Sequence, residues 1–237
     1  MLLFQTNDEL SALIFLLIIF APLGVLLLLI SSNAGKRAKA RTEGLKEIAK
    51  KMGLKFSYRG SKKLLNRLAR FNFPTRRKRF FSSLSITNVI EGNTGKIHIS
   101  IFDVRHGVRK HTKHHAYLLL RSKALVCPEF RIEPESFLDK LDHAIGIGWH
   151  DIDFDKYPEF SNQFLLSSAD EERFRRFFNV NAIPFFLSHP HMRLEAQSNA
   201  FLFTLPALFL TADTVEKHIA EAIELYNLLI EPEQPSH

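Results

Sequence analysis

The chain has 237 residues, 46% of them hydrophobic and 24% charged, and carries a net charge of +7 at pH 7. That much apolar content supports a packed core and excludes a wholly disordered chain. The single cysteine, Cys127, excludes an internal disulfide framework and reads as a small core residue in a folded part kept in a reducing compartment.

Residues 1–9 contain Asp8 and Glu9 but no lysine or arginine, and are expected to form a short extracytoplasmic N-terminus. Leu10 to Ile30 then reads LSALIFLLIIFAPLGVLLLLI, without a charge. As a helix it would extend roughly 30 Å, the thickness of the bilayer hydrocarbon, so residues 10–30 are expected to span the membrane. A cleaved leader would instead have a basic start and a shorter apolar core. The basic linker 31–41 follows, with Lys36, Arg37, Lys39 and Arg41, which by the positive-inside rule puts the N-terminus outside and residues 42–232 in the cytoplasm. The later apolar run 200–210 contains Thr204 and Pro206 and is too short to cross. One span is therefore expected, and residues 233–237 read as a flexible tail.

Charge is unevenly distributed. Between Lys36 and Arg79 there are 17 Lys/Arg against only Glu43 and Glu47, whereas residues 80–237 hold 15 against 21 acids. Anionic lipid attracts each basic residue near the membrane by about 1 kcal/mol, so this segment is expected to face anionic headgroups. Besides the linker cations, the expected lipid- or anion-facing set is Lys62, Lys63, Arg67, Arg70, Arg76, Arg77, Lys78 and Arg79, with Arg109, Lys110 and Lys113 further on. Nucleic acid is disfavoured as a partner, since the remainder is acidic and no RNP strand or zinc finger appears.

Taken in order, EGLKEIAKKMG reads as a helix stopped at Gly53, with Leu45, Ile48, Ala49 and Met52 on one side. In SKKLLNRLARFNF, Ser61 is placed to cap a helix whose Leu64, Leu65, Leu68 and Phe71 share a face; that face suits either a lipid interface or a protein core. Phe80 to Thr87 alternates loosely. Ile97, Ile99 and Ile101 alternate strictly, with Gly92 to Gly95 turning the chain before them and Tyr117 to Leu120 returning. The stretch RHGVRKHTKHHAY, 105–117, thus becomes a hairpin tip.

Leu125 to Ile132 reads as a strand that Pro128 moves to an edge. Pro134 and Gly146 bracket a helix in ESFLDKLDHAI. Asp151–Phe154 and Phe160–Leu166 read as short strands, and SADE as the capping box of a helix burying Phe174, Phe177 and Phe178. AIPFFLS is broken by Pro184. Strands follow at 193–197 and 200–204, then a helix from Asp213 to Ile230 ended by Pro232. Hairpins interleaved with isolated helices mean α+β: a mostly antiparallel sheet with helices packed on one face.

Catalytic chemistry is sparsely signalled. His106, His111, His114 and His115 have no cysteine beside them, their basic neighbours repel a cation, and adjacent His114 and His115 point to opposite sides of a strand. They are instead expected to gain charge near pH 6 and strengthen an anion contact. Asp151, Asp153 and Asp155 alternate along one face but fail as a calcium loop, having Lys156 for the turn glycine and Asn162 for the bidentate glutamate. Asp151 and Asp153 with nearby histidines form the alternative reading, a membrane-tethered metal-dependent hydrolase. No nucleophile elbow, phosphate loop, dinucleotide fingerprint or zincin motif occurs, and no cofactor is expected.

Four stretches, NVIEGNTGKIHISIFDV, CPEFRIEPE, DIDFDKYPEFSNQFLL and SADEERFRRFF, together resemble the pattern of uncharacterised bacterial single-pass membrane proteins carrying a domain of unknown function. The resemblance covers most of residues 42–231. It implies a bacterial inner-membrane setting and transfers no functional residue. The leading expectation is a non-enzymatic, membrane-anchored cytoplasmic binding or scaffolding domain whose basic juxtamembrane surface faces anionic lipid.

Overall fold

The computed structural model describes residues 35–71, 84–107, 112–135 and 149–230. The expected span 10–30, Arg76 to Arg79, Arg109, Lys110, His111, the helix expected after Glu135 and the tail lie outside the described residues. Among the described residues no helix is long and apolar enough to cross a membrane. The chain divides into two compact units, Met1–Gly44 and Leu45–His237. Residues 35–44 of the first are helical.

The second unit opens with helical residues 45–51, α1, which end at Gly53 with φ +68°, the left-handed conformation that glycine supplies most cheaply. Strand β1 (Lys55–Arg59), helix α2 (Lys62–Leu68), and strands β2 (Ser85–Thr94), β3 (Ile97–His106), β4 (Lys113–Ser122) and β5 (Cys127–Pro134) follow. Next come β6 (His150–Asp151), α3 (Pro158–Gln163), β7 (Phe164–Ser168), α4 (Glu171–Phe177), a 3₁₀ turn (Val180–Ala182) and α5 (Ile183–Ser188). Strands β8 (Arg193–Ser198) and β9 (Ala200–Thr204) and helix α6 (Ala212–Ile230) complete the unit. Among the described residues the strands form one nine-stranded sheet in the order β1-β2-β3-β4-β9-β8-β5-β7-β6. Every pairing is antiparallel. The α+β expectation therefore holds.

Alternation along the strands makes two faces. On the first, Ile97, Ile99, Ile101, Leu118, Leu120, Phe130, Ile132, Phe201 and Phe203 are buried with Leu45, Phe160, Phe174, Phe186, Val215, Ile219 and Leu225 of the helices. Phenylalanine fills much of this layer: Phe160 stacks on Phe178 at 6.0 Å, and Phe174 on Phe178 at 5.2 Å. Such pairs contribute about 0.5–1.5 kcal/mol beyond the area they bury. On the second face, Phe102, Val104, Tyr117, Leu119 and Leu202 pack with Leu64, Leu68 and Phe71 of the α2 segment. Helices thus cover both faces rather than one, because α2 has an apolar stripe of its own to bury.

Several local expectations give way to longer-range effects. Strand β2 is continuous past residue 87, but its register shifts between Thr87 and Ile90, where Asn88 takes φ +51°. Of the stretch Phe80 to Thr87, only residues 84–87 are described, and Ser85 to Thr87 open this strand ahead of the bulge. Strand β5 lies between β8 and β7, not at an edge. Pro128 is accommodated because it falls inside the register shift between Cys127 and Phe130, and β7 begins to pair only at Phe130. Phe160 lies in α3, whose Pro158 occupies the first turn, and Pro184 likewise starts α5 instead of breaking it. The cap of α4 is Asp170, which accepts from Arg173 N at 2.9 Å; Phe177 is only partly buried.

Candidate anion-binding surface

Lys36, Arg37 and Lys39 are exposed and Arg41 is half-exposed on the helical residues of the first unit. In the second unit, Ser61 Oγ accepts from Leu64 N at 3.1 Å and fixes the start of α2. Leu64, Leu68 and Phe71 then point into the sheet, which leaves Lys62, Lys63 and Arg70 exposed and Arg67 half-buried. The apolar side of this helix is therefore occupied by protein, and only its cationic side is open to a partner. Lys113 is exposed at the start of β4.

Beside α2 lies a cavity of about 230 Å³ lined by Arg67, Arg70, Phe71, Leu119, Arg121, Gln197, Asn199 and Ala200. Register explains the convergence: Arg121 on β4 is opposite Ala200 on β9, and Ala200 is opposite Gln197 on β8. Paired residues share a face, so the β8–β9 turn brings Gln197 and Asn199 to the arginine. Ser198, at φ +59°, makes that turn. Among the described residues no carboxylate lines the cavity. Among the described residues, Arg121 Nε and Gln197 Oε1 are buried without a hydrogen-bond partner.

Electrostatics at this end follows from crowding of like charge. Burial, and then the neighbouring Arg67, hold the Arg121 guanidinium below its ordinary value, opposed by Glu91 on β2. His98, opposite Arg121 on β3, is lowered by burial first and then by Arg121 and Arg67. Its Nδ1 donates to Asn93 Oδ1 at 2.9 Å.

A second, smaller cavity of about 70 Å³ lies further along the same face, among Tyr117, Arg131, Glu133, Arg193, Glu195 and Thr204. Its charges compensate one another. Arg193 pairs with Glu133, and Arg131 with Glu195 at 3.7 Å, all four side chains being 15–17% exposed. Arg131 also sits over the Trp149 ring at 4.5 Å. Burial raises the Tyr117 hydroxyl to about 12.

The histidines separate as the strand geometry requires. His114 lies against Phe209, with ring centres 4.8 Å apart, while His115 stacks on His106 across the hairpin at 5.5 Å. Burial, followed by His106 and Arg193, lowers His115 to about 4, and burial also lowers His106. His115 therefore remains neutral near pH 6, which corrects the expectation that it adds charge there, and His106 is shifted in the same direction. His150, Asp151 and Asp153 are exposed at the opposite edge of the sheet, with Asp151 raised by burial and then by Asp153. Five strand steps separate β4 from β6, or about 24 Å at the usual spacing. The hairpin histidines on β3 and β4 and the acids on β6 thus share no cleft, and among the described residues no three metal-type ligands come together. Cys127 is buried, its thiol pushed up to about 12 chiefly by burial, and Sγ donates to Ser198 O at 3.2 Å.

Sequence reasoning named Arg67 and Arg70 but missed Arg121, Gln197 and Asn199. Arg121 closes a strand and Asn199 sits in a tight turn, so nothing local distinguishes them from ordinary surface residues. Only the β4–β9–β8 register joins them to α2.

Fold and pocket together define an α+β domain with an arginine-lined cavity on the second face of its sheet. The crystal structure of the mycobacterial trehalose monomycolate transport factor A, TtfA, has a similar fold, with a TM-score of 0.57 and 14% sequence identity. The match covers 83% of this chain and 98% of that one. No family model and no curated protein sequence matches the chain.

Proposed function

We propose that the protein is a non-enzymatic, single-pass membrane protein that holds its α+β domain on the cytoplasmic side of a bacterial inner membrane, as a binding module facing anionic groups. The carrying observation is α2: its leucine face is spent on the sheet, while Lys62 and Lys63, and Arg70 just past its end, stay exposed and Arg67 half-buried. The uncharged run 10–30 supplies the anchor, and Lys36, Arg37, Lys39 and Arg41 supply the orientation. Anionic headgroups are the partner such cations meet first next to a bilayer. A likeness of fold to a protein named a transport factor is in keeping with a binding role.

The test is extraction and topology. The full chain should resist alkaline carbonate and be released once residues 10–30 are deleted. Protease applied to the outer surface of spheroplasts should spare a C-terminal tag. A carbonate-soluble full chain, or a tag cleaved from outside, would sink the reading.

A further inference from the structure

The two cavities on the second face of the sheet pose opposite electrostatic situations. In the smaller, two arginines meet two glutamates, and no ligand is needed to balance them. In the larger, Arg67, Arg70 and Arg121 converge and, among the described residues, no carboxylate lines the cavity with them. Glu91 acts on Arg121 and His98 from β2 but does not line the cavity. Lys63 adds to the positive field at His98. Guanidiniums brought together in this way repel one another unless an anion sits among them.

We infer that the cavity beside α2, lined by Arg67, Arg70 and Arg121, is a binding site for a phosphate group. Phosphate fits better than a single carboxylate on three counts. A guanidinium presents a planar fork that two phosphate oxygens can meet at once, and three arginines offer more donors than one carboxylate can accept. A phosphate monoester carries close to two negative charges, nearer to what three arginines balance. The buried Arg121 Nε lacks an acceptor among the described residues, and the unmatched amide of Gln197 can offer its oxygen to a ligand hydroxyl or turn its nitrogen to a ligand oxygen. About 230 Å³ leaves space for the phosphate and part of the ester that bears it. Phe71, Leu119 and Ala200 close the apolar side, where water is displaced and each charged hydrogen bond gains strength.

This site deepens the proposed binding role and rests on it only for the source of the phosphate, a lipid headgroup or a soluble ester. The experiment uses the full chain in a neutral detergent. Its thermal midpoint is followed while inorganic phosphate is titrated against sodium chloride at matched ionic strength. Ligand binding to the folded state alone raises Tm in a saturable manner. The expected result is such a rise, weakened roughly tenfold or more for each arginine removed in Arg70→Gln and in the double variant Arg67→Gln/Arg70→Gln. Neither residue is part of the helix's buried face, so both variants are expected to fold. The variant Lys156→Gln/Lys217→Gln removes two exposed cations that do not line the cavity, and should keep the response.

Absence of a saturable rise, an equal rise with chloride, or equal loss in the lysine variant would overturn the site. Repeating the titration in nanodiscs distinguishes the sources. If phosphatidic acid discs abolish the response to added phosphate while phosphatidylcholine discs preserve it, the site takes a headgroup; if both preserve it, the site takes a soluble ester. A chain that remains carbonate-resistant and correctly oriented but shows no phosphate response would remove the site and leave the membrane role standing.

Discussion

The two faces of the sheet are built from the same strands and do different work. On the first, alternate residues such as Ile99, Ile101, Leu118, Leu120, Phe130 and Phe201 meet a nearly uniform apolar layer from the helices. On the second, the intervening residues begin apolar, at Phe102, Leu119 and Leu202 beneath α2, and turn polar across β8 and β5 at Arg193, Glu195, Gln197, Arg131 and Glu133. The first face holds the fold; the second offers charge at a fixed place. The lesson is that the charged side chains of the sheet sit on the ladder positions left over once the core is filled.

That division can be broken by substitution. Phe160 is fully buried among Phe154, Phe164, Phe178 and Phe186. Phe160→Ala should destabilise the domain by about 3–5 kcal/mol, measured by denaturant unfolding. A loss below about 1 kcal/mol would mean that the phenylalanine layer is not the main support.

Asp103 is a charged residue on the first face. It is buried, its Oδ1 accepting from Leu210 N at 2.8 Å and its Oδ2 from Asn88 Nδ2 at 2.9 Å. Removing the carboxylate takes away the acceptor of two hydrogen bonds at once, one at the β2 bulge and one ahead of α6. Asp103→Ala should cost about 2–3 kcal/mol, with faster amide exchange at Leu210 than at Ile219. Equal exchange at both would deny Asp103 its role in fastening that loop.

A third effect belongs to pH. His115 falls from an ordinary 6.5 to about 4 in the folded chain, surrounded by His106, His114, Lys113 and Arg193. Between these values the unfolded state binds the proton more readily, so stability declines as pH drops through that window. His115→Asn should flatten the decline between pH 6.5 and 4, seen as a smaller pH dependence of the urea midpoint. An unchanged slope would place the acid sensitivity elsewhere. The smallest effect is expected at the cationic rim: Arg70→Gln should alter stability by no more than about 0.5 kcal/mol, because Arg70 is exposed and makes no ion pair among the described residues.

How far the sequence could be read depended on how local each determinant is. The Ser61 cap, the Gly53 stop, the Leu64–Leu68 stripe and the Ile97–Ile99–Ile101 alternation are contained within a few residues, and each appears in the structure where the pattern put it. Pro128 misled because a bulge, invisible without the partner strand, relieves a central proline of its missing donor. Phe160 and Pro184 misled because short helices and short strands share the same apolar runs. For the candidate site, α2 gave up Arg67 and Arg70 to its own periodicity. Arg121 and Gln197 lie 54 and 130 positions beyond Arg67 in the sequence, and only sheet order places them in one cavity.

The most direct test of the division of labour sets one variant from each face against the same titration. Thermal midpoints of the full chain, Phe160→Ala and Arg67→Gln/Arg70→Gln would be measured with and without phosphate. The account predicts that Phe160→Ala starts from a much lower midpoint yet keeps the phosphate-induced rise, whereas the arginine variant keeps its midpoint and loses the rise. An arginine variant that still responded to phosphate like the unaltered chain would contradict it.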